Sequence, residues 1–380
     1  MNGSIALYVH IPFCIQKCSY CSFVSYAGRQ NDIEQYCQVL IKEIRRRVGK
    51  RLVKCVYFGG GTPSLIPIRC IENLMEKILS ISQSLDIEVS LEANPGTIGV
   101  QHLKELRRIG VNRLSIGAQS LDNRDLELMG RLHNSAAVIE AMKSARSARF
   151  DNINLDLIYG IPGQSISSWK QTLEGAIDLE PEHLSLYGLS LESGTEMMNL
   201  IECGALPQIN PDDSADQYEF AEEILAGKGY HHYEISNWAK AGYECIHNLV
   251  YWKHEEYIGV GAGACSYLGG HRFSNTPSLD KYLTSFTEEG GEVTESDEPI
   301  NPELAAAEAA ILSLRLDEGI NIEKYNQDYN TNLISVYNKQ IDELESYGLL
   351  ENDGVNIKLT PKGRLLGNEV FWRFLPEAIE

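Results

Sequence analysis

From residue 5 to about 190 the chain alternates short apolar runs with longer stretches whose apolar residues recur every three or four positions. The runs at 5–9, 53–58, 87–91, 113–116, 153–158 and 183–187 predict strands. The periodic stretches at 33–48, 68–81 and 169–179 predict amphipathic helices between them. Such units in succession predict an α/β domain with a parallel sheet covered by helices, as an open sheet or a partial barrel. In either form ligands gather at the carboxyl ends of the strands. Residues from about 195 to 300 are less regular and rich in Gly, Tyr and His. Beyond them, helical periodicity at 304–316 and 333–344 precedes a turn at Asn352-Asp353-Gly354 between short apolar runs, a winged-helix-like pattern. The expected divisions are 1–195, 196–300 and 301–380.

The residues that break the apolar pattern fall where that rule places a site. Cys14, Cys18 and Cys21, spaced C-x3-C-x2-C with Tyr20 before the last, follow the first strand. Gly59-Gly60-Gly61-Thr62-Pro63 follows the second, where glycine lets backbone approach a ligand closely. Glu92 with Asn94-Pro95 follows the third, Gln119 the fourth with Arg131 beyond it, and Asp156 lies toward the end of the fifth. Three thiolates on one loop can hold three irons of a [4Fe–4S] cluster and leave the fourth open. S-adenosylmethionine (SAM) can chelate such an iron through its amine and carboxylate, and an electron passed to its sulfonium breaks a C–S bond. The same thiols could instead bind zinc with His10 as fourth ligand, or be unconnected buried cysteines. Each polar residue at a strand end could equally be a surface carboxylate or a cap.

Composition narrows the partners. The formal charge of −20 over 380 residues repels a phosphate backbone, so nucleic acid is not expected, and Arg45-Arg46-Arg47 reads as a solvated helix face. No apolar run approaches the roughly 18 residues of a membrane span, and the start lacks a basic then apolar leader pattern. Nine cysteines, three of them clustered, fit a reducing cytosol better than a disulfide framework. A cytoplasmic protein touching membranes only peripherally is the expectation.

The cysteine motif resembles that of the radical SAM superfamily. The blocks at 8–14, 59–63, 90–95, 117–120, 129–133 and 154–160 resemble the oxygen-independent coproporphyrinogen III oxidase family, and the similarity covers most of the chain, its C-terminal unit included. That resemblance implies a partial (β/α)6 radical SAM barrel with a small C-terminal helical domain. It implies a [4Fe–4S] cluster on Cys14, Cys18 and Cys21. It also implies SAM against Tyr8, Gly60, Gly61, Thr62, Glu92, Gln119, Arg131 and Asp156, with Tyr20 nearby. The oxidases carry a further cysteine two residues after the third, where this chain has Phe23, and an extension before the first strand. Both differences, and His247-Asn248-Leu249-Val250-Tyr251-Trp252, resemble the family's haem chaperone branch. The resemblance therefore implies haem as ligand, delivery to haem proteins of the respiratory chain, and self-association into a homodimer. His247 can be read as an axial haem ligand or as a core histidine, with His231, His232 and His254 as further candidates. Cys245 and Cys265 read as buried thiols. The alternative is a radical SAM enzyme of porphyrin metabolism, either an oxidative decarboxylase of coproporphyrinogen III or an enzyme that opens the haem ring.

Overall fold

The computed structural model describes residues 4–82, 87–285 and 293–376. Strands β1 (Ile5–Ile11), β2 (Val53–Gly60), β3 (Glu88–Ala93), β4 (Arg113–Gln119), β5 (Ile153–Tyr159) and β6 (His183–Gly188) pair in chain order, all in parallel. Alternate residues of a strand face opposite sides of its sheet, and here the two sides differ in kind. Leu7 and Val9, Val56 and Phe58, Val89 and Leu91, and their counterparts on β4–β6 join the helices Ile33–Val48, Ile68–Ser82 and Ile166–Asp178 in the main core. Burying each such side chain contributes about 1.5–3 kcal/mol.

The intervening positions are Tyr8 and His10, Tyr57, Ser90 and Glu92, Arg113 and Ser115, Asn154 and Asp156, His183 and Ser185. Buried polar groups need partners, and this face supplies them across strands. Asn154 Nδ2 donates to Ser115 Oγ at 2.7 Å and to Asp156 Oδ1 at 2.8 Å. His183 Nδ1 lies 2.6 Å from Asn154 Oδ1, and its Nε2 lies 2.8 Å from Tyr233 Oη. The domain thus has an apolar shell and a polar interior.

The irregular middle region adds β7 (His231–Glu234), β8 (Asn237–Ala239), β9 (Tyr257–Val260), β10 (Cys265–Leu268), β11 (His271–Asn275) and β12 (Thr294–Pro299). β9 joins β1 in parallel, β10–β12 extend that edge in antiparallel, and β8 with β7 extends the edge at β6. The fully buried Glu43 binds this addition to the helix Ile33–Val48. It accepts from Gly261 N at 2.9 Å, Asn275 Nδ2 at 2.7 Å and Tyr282 Oη at 2.6 Å, and pairs with Arg47 at 3.1 Å. Two expectations are corrected here. Arg47 is a half-buried counter-ion, not part of a solvated face, because Glu43 needs a cation beside it. Cys265 is exposed, since β10 belongs to the sheet's extension and not to its covered centre.

The C-terminal unit runs helix Pro302–Leu314, strand Ile320–Asn321, helices Ile322–Tyr329 and Leu333–Ser346, then strands Leu350–Asn352 and Asn356–Leu359. The last strand lies between the other two, all antiparallel, in a winged-helix arrangement with its own core. Among the described residues no helix is long and apolar enough to cross a membrane.

Candidate active site

A cavity of about 470 Å³, within the usual range for small ligands, opens at the carboxyl ends of β2–β6. Laid flat, five strands would spread over about 19 Å at the usual spacing. Residues from all five line this one cavity, so the sheet curls into a partial barrel. Cys14, Cys18, Cys21 and Tyr20 line it from the loop after β1, and Phe23 stands at the same wall, 66% exposed. Gly60, Gly61 and Thr62 line it from β2 onward, with Glu92, Gln119, Arg131 and Asp156 from the strands and segments that follow.

The cysteine loop is closed at its base where Phe13–Cys14 pairs with Tyr26–Ala27. Its middle is held by Ser19, whose amide donates to Met129 O at 3.2 Å and whose hydroxyl donates to Leu128 O at 3.0 Å. All three thiols are partly buried. Burial pushes the Cys14 and Cys21 thiols above their ordinary range, opposed at Cys14 by the Thr62 hydroxyl, which donates to its sulfur at 3.7 Å. Arg131 donates to Cys18 Sγ at 3.4 Å and to Gly117 O at 2.9 Å, and another bond joins it to Asn94 Oδ1. Asn94 in turn donates to Thr62 Oγ1 at 2.9 Å. Thr62, Asn94 and Arg131 therefore form one bracket from Cys14 to Cys18.

These residues fit the groups implied for them. Thiolates are the ligands of Fe–S clusters and lose their protons when bound to metal, and the bracket aims donors at two of the sulfurs. A Cβ on Gly61 would stand 2.8 Å from Phe13 O and 3.0 Å from Cys14 Sγ, so only glycine lets this turn lie against the cysteine loop. Arg131 Nε is buried without a partner among the described residues, which leaves a donor for a bound acceptor. Zinc fits less well, because both ring nitrogens of His10 are engaged, with Val24 O at 2.8 Å and Tyr8 Oη at 3.1 Å.

The cavity's other wall is acidic. Glu92 accepts from Gly60 N at 2.9 Å. Its carboxyl is pushed up to about 7, first by burial and then by the neighbouring Asp156 charge. Burial also raises Asp156, against hydrogen bonds that begin with Ser115 at 3.0 Å. A cation entering here would restore the charge of both. Gln119 reaches the wall through a bulge against β5, with φ of 65°, an uncommon value away from glycine that re-aims its side chain.

Two expected residues lie elsewhere. Tyr8 sits one layer below the cavity lining, its ring stacked near Tyr57 at 6.3 Å. His247 is 1% exposed on the helix Ile246–Trp252. Its Nε2 lies 2.8 Å from Tyr251 Oη, its Nδ1 3.6 Å from Cys55 Sγ, and burial pushes its pKa down to about 3. In this arrangement neither nitrogen is free for iron. His231 and His232 lie on β7, and His254 lies 2.9 Å from Tyr329 Oη, all outside the lining. Conversely, Tyr57, Ser115 and Tyr187 line the cavity without having been singled out. Counting back or forward by two from Glu92 and Asp156 on neighbouring strands marks that face.

The model of the Radical SAM superfamily matches residues 8–176, and that of the HemN C-terminal domain matches 300–366. The haem chaperone HemW of Lactococcus lactis is 37% identical over 376 residues, covering 98% of this chain and 97% of its own. That of Bacillus subtilis is 36% identical over 376 residues, covering 97% and 99%. The chain belongs to the HemW family. This HemW-family fold is also similar to the solved coproporphyrinogen III oxidase (HemN) of Escherichia coli, described as a radical SAM enzyme. The TM-score is 0.86 at 26% identity, over 98% of this chain and 90% of that one.

Proposed function

We propose that this protein is a haem chaperone of the cytoplasm. It binds haem and passes it to haem proteins, those of the respiratory chain among them, and has no nucleic-acid partner. Its cavity holds a [4Fe–4S] cluster on Cys14, Cys18 and Cys21. SAM is held against Gly60, Gly61, Thr62, Glu92, Gln119, Arg131 and Asp156, with Tyr20 beside it and Tyr8 supporting the floor. The observation that carries the reading is the end-to-end likeness to proteins named haem chaperones, supported by a cavity lined by the three clustered cysteines together with Gly60, Gly61, Thr62, Glu92, Gln119, Arg131 and Asp156.

When bound, the cluster supplies one-electron reduction of a sulfonium. The chain's own residues prepare the site for both groups. Arg131 and Thr62 direct donors at Cys18 and Cys14, which would offset part of the negative charge of a thiolate ligand set. Glu92 and Asp156 are held from behind by Gly60 N and Ser115 and present carboxyl groups to a cationic ligand. The chaperone keeps this equipment for control of haem loading or of self-association into a dimer.

The oxidase reading stands beside it because the solved oxidase shares the whole fold. One preparation separates the two: anaerobically reconstituted protein, given haem in one arm and coproporphyrinogen III with SAM and a strong reductant in the other. The chaperone predicts a stoichiometric haem absorption band, transfer of that haem to an apo-haemoprotein, and unchanged coproporphyrinogen. Loss of two carboxyl groups from the porphyrinogen, with no haem bound, would overturn it.

A further inference from the structure

Residues 247–252 lie outside the cavity, and their spacing has a geometric meaning on a helix. His247 and Tyr251 are four apart, as are Asn248 and Trp252, so the segment is two i,i+4 pairs on adjacent strips about 100° apart. The first strip meets the barrel floor. The His247 ring lies 5.2 Å from Tyr57, which lines the cavity together with Glu92, and 6.1 Å from Tyr8. Tyr8 reaches His10, whose other nitrogen holds Val24 O where the cysteine loop ends. The second strip meets the C-terminal unit. The Arg315 guanidinium lies 4.3 Å from the Trp252 ring centre, just past the helix Pro302–Leu314. At its start the helix is pinned by Ile246 N donating to Glu88 Oε1 at 3.1 Å.

We propose that this helix is a strut coupling the C-terminal domain to the SAM cavity, with His247 a positioning residue. It acts through Tyr57 on Glu92, and through Tyr8 and His10 on the cysteine loop. A helix of seven residues is about 10 Å long and has no stability of its own, so contacts on its two strips fix it. Loosening either strip releases the other. Trp252 Nε1 has no hydrogen-bond partner among the described residues, so the ring face against Arg315 holds that end, and another aromatic ring can replace it. The inference rests on the SAM-cavity reading and is independent of haem binding.

The test uses full-length, anaerobically reconstituted, reduced protein. Electron paramagnetic resonance (EPR) spectra of the cluster are taken with and without SAM, SAM affinity is measured by dialysis, and haem absorption is titrated. The set is wild type, His247→Ala, His247→Gln, Trp252→Ala and Trp252→Phe. Wild type should change its EPR spectrum on adding SAM. Both alanine variants should keep their iron, bind SAM roughly three- to tenfold more weakly, as coupling through a packed network gives, and show an altered SAM-induced spectrum. His247→Gln and Trp252→Phe should recover most of both, with the haem band the same throughout. Should an alanine variant not fold, His247→Leu or Trp252→Leu keeps apolar bulk and takes its place. Folded variants indistinguishable from wild type in SAM affinity and spectrum would overturn the strut. So would loss of the haem band in both His247 variants with the cluster response intact, which would make His247 a haem ligand. A wild type indifferent to SAM would bring down the cavity reading, and the strut with it, before any variant is compared.

Discussion

Two segments of this chain carry the residue types that bind iron, and they are built in opposite ways. The loop from Cys14 to Cys21 keeps its sulfurs partly exposed at a cavity, with donors from Thr62 and Arg131 aimed at two of them. The helix from Ile246 to Trp252 buries its imidazole and engages both nitrogens, one of them with a residue of the same helix. A side chain's chemistry is set by the lone pairs and protons left over once folding has used its share. By that measure the loop is prepared for a ligand and the helix for load.

The sharpest way to break the contrast is a reciprocal pair of substitutions. Cys18→Ser should abolish cluster loading while moving the stability of the iron-free protein by no more than about 0.5 kcal/mol, as for a partly exposed site. His247→Ala should keep its iron and lose about 2–4 kcal/mol, from a buried void and a broken hydrogen bond. Iron and sulfide analysis beside urea unfolding reads both, and the reverse result would invert the assignment of roles. A smaller effect is expected from Gly61→Ala. The new methyl would press on the Phe13 carbonyl and Cys14 sulfur, costing about 1–3 kcal/mol of strain and lowering cluster occupancy.

The mildest prediction concerns pH. With Glu92 at about 7, its ionised fraction and hence affinity for a cationic ligand should rise as pH rises through 7. From one unit below to one above, the change for a single group is roughly tenfold. Folding stability moves the other way. The folded state holds this proton more tightly than the unfolded chain, so the contribution is full below the ordinary glutamate pKa and is lost as pH rises through about 7. Glu92→Gln should flatten both slopes, in SAM dialysis and in unfolding across pH. A slope that survives in this variant would assign the titration to another group.

The sequence carried the strands β1–β6, the helices 33–48, 68–81 and 169–179 and part of the cavity lining, because each leaves a local mark. The apolar runs ended before the strands did. β1 continues through His10 to Ile11, β2 through Gly59 and Gly60, and β4 to Gln119. Those final residues serve the site, so their types break the strand pattern where the chain is most constrained. The middle region was harder to read. β9 pairs with β1 across most of the chain, and Glu43 is fixed by Gly261, Asn275 and Tyr282. Neither relation has a counterpart in nearby sequence. For the same reason the spacing of His247 and Tyr251 was visible, while what their ring atoms touch was not.

The place of β1 also sets an order of assembly. It lies between β2 and β9, and the cysteine loop leaves directly from it. During synthesis β1 remains an edge strand until residues 257–260 have emerged, and long-range pairing of this kind forms late. On the proposed cluster assignment, stable iron insertion is expected only once most of the protein exists. A chain truncated after residue 250 contains all three cysteines and every SAM-cavity residue, yet it should not retain a cluster. Iron retention by that fragment under anaerobic reconstitution would show that the loop matures ahead of its barrel.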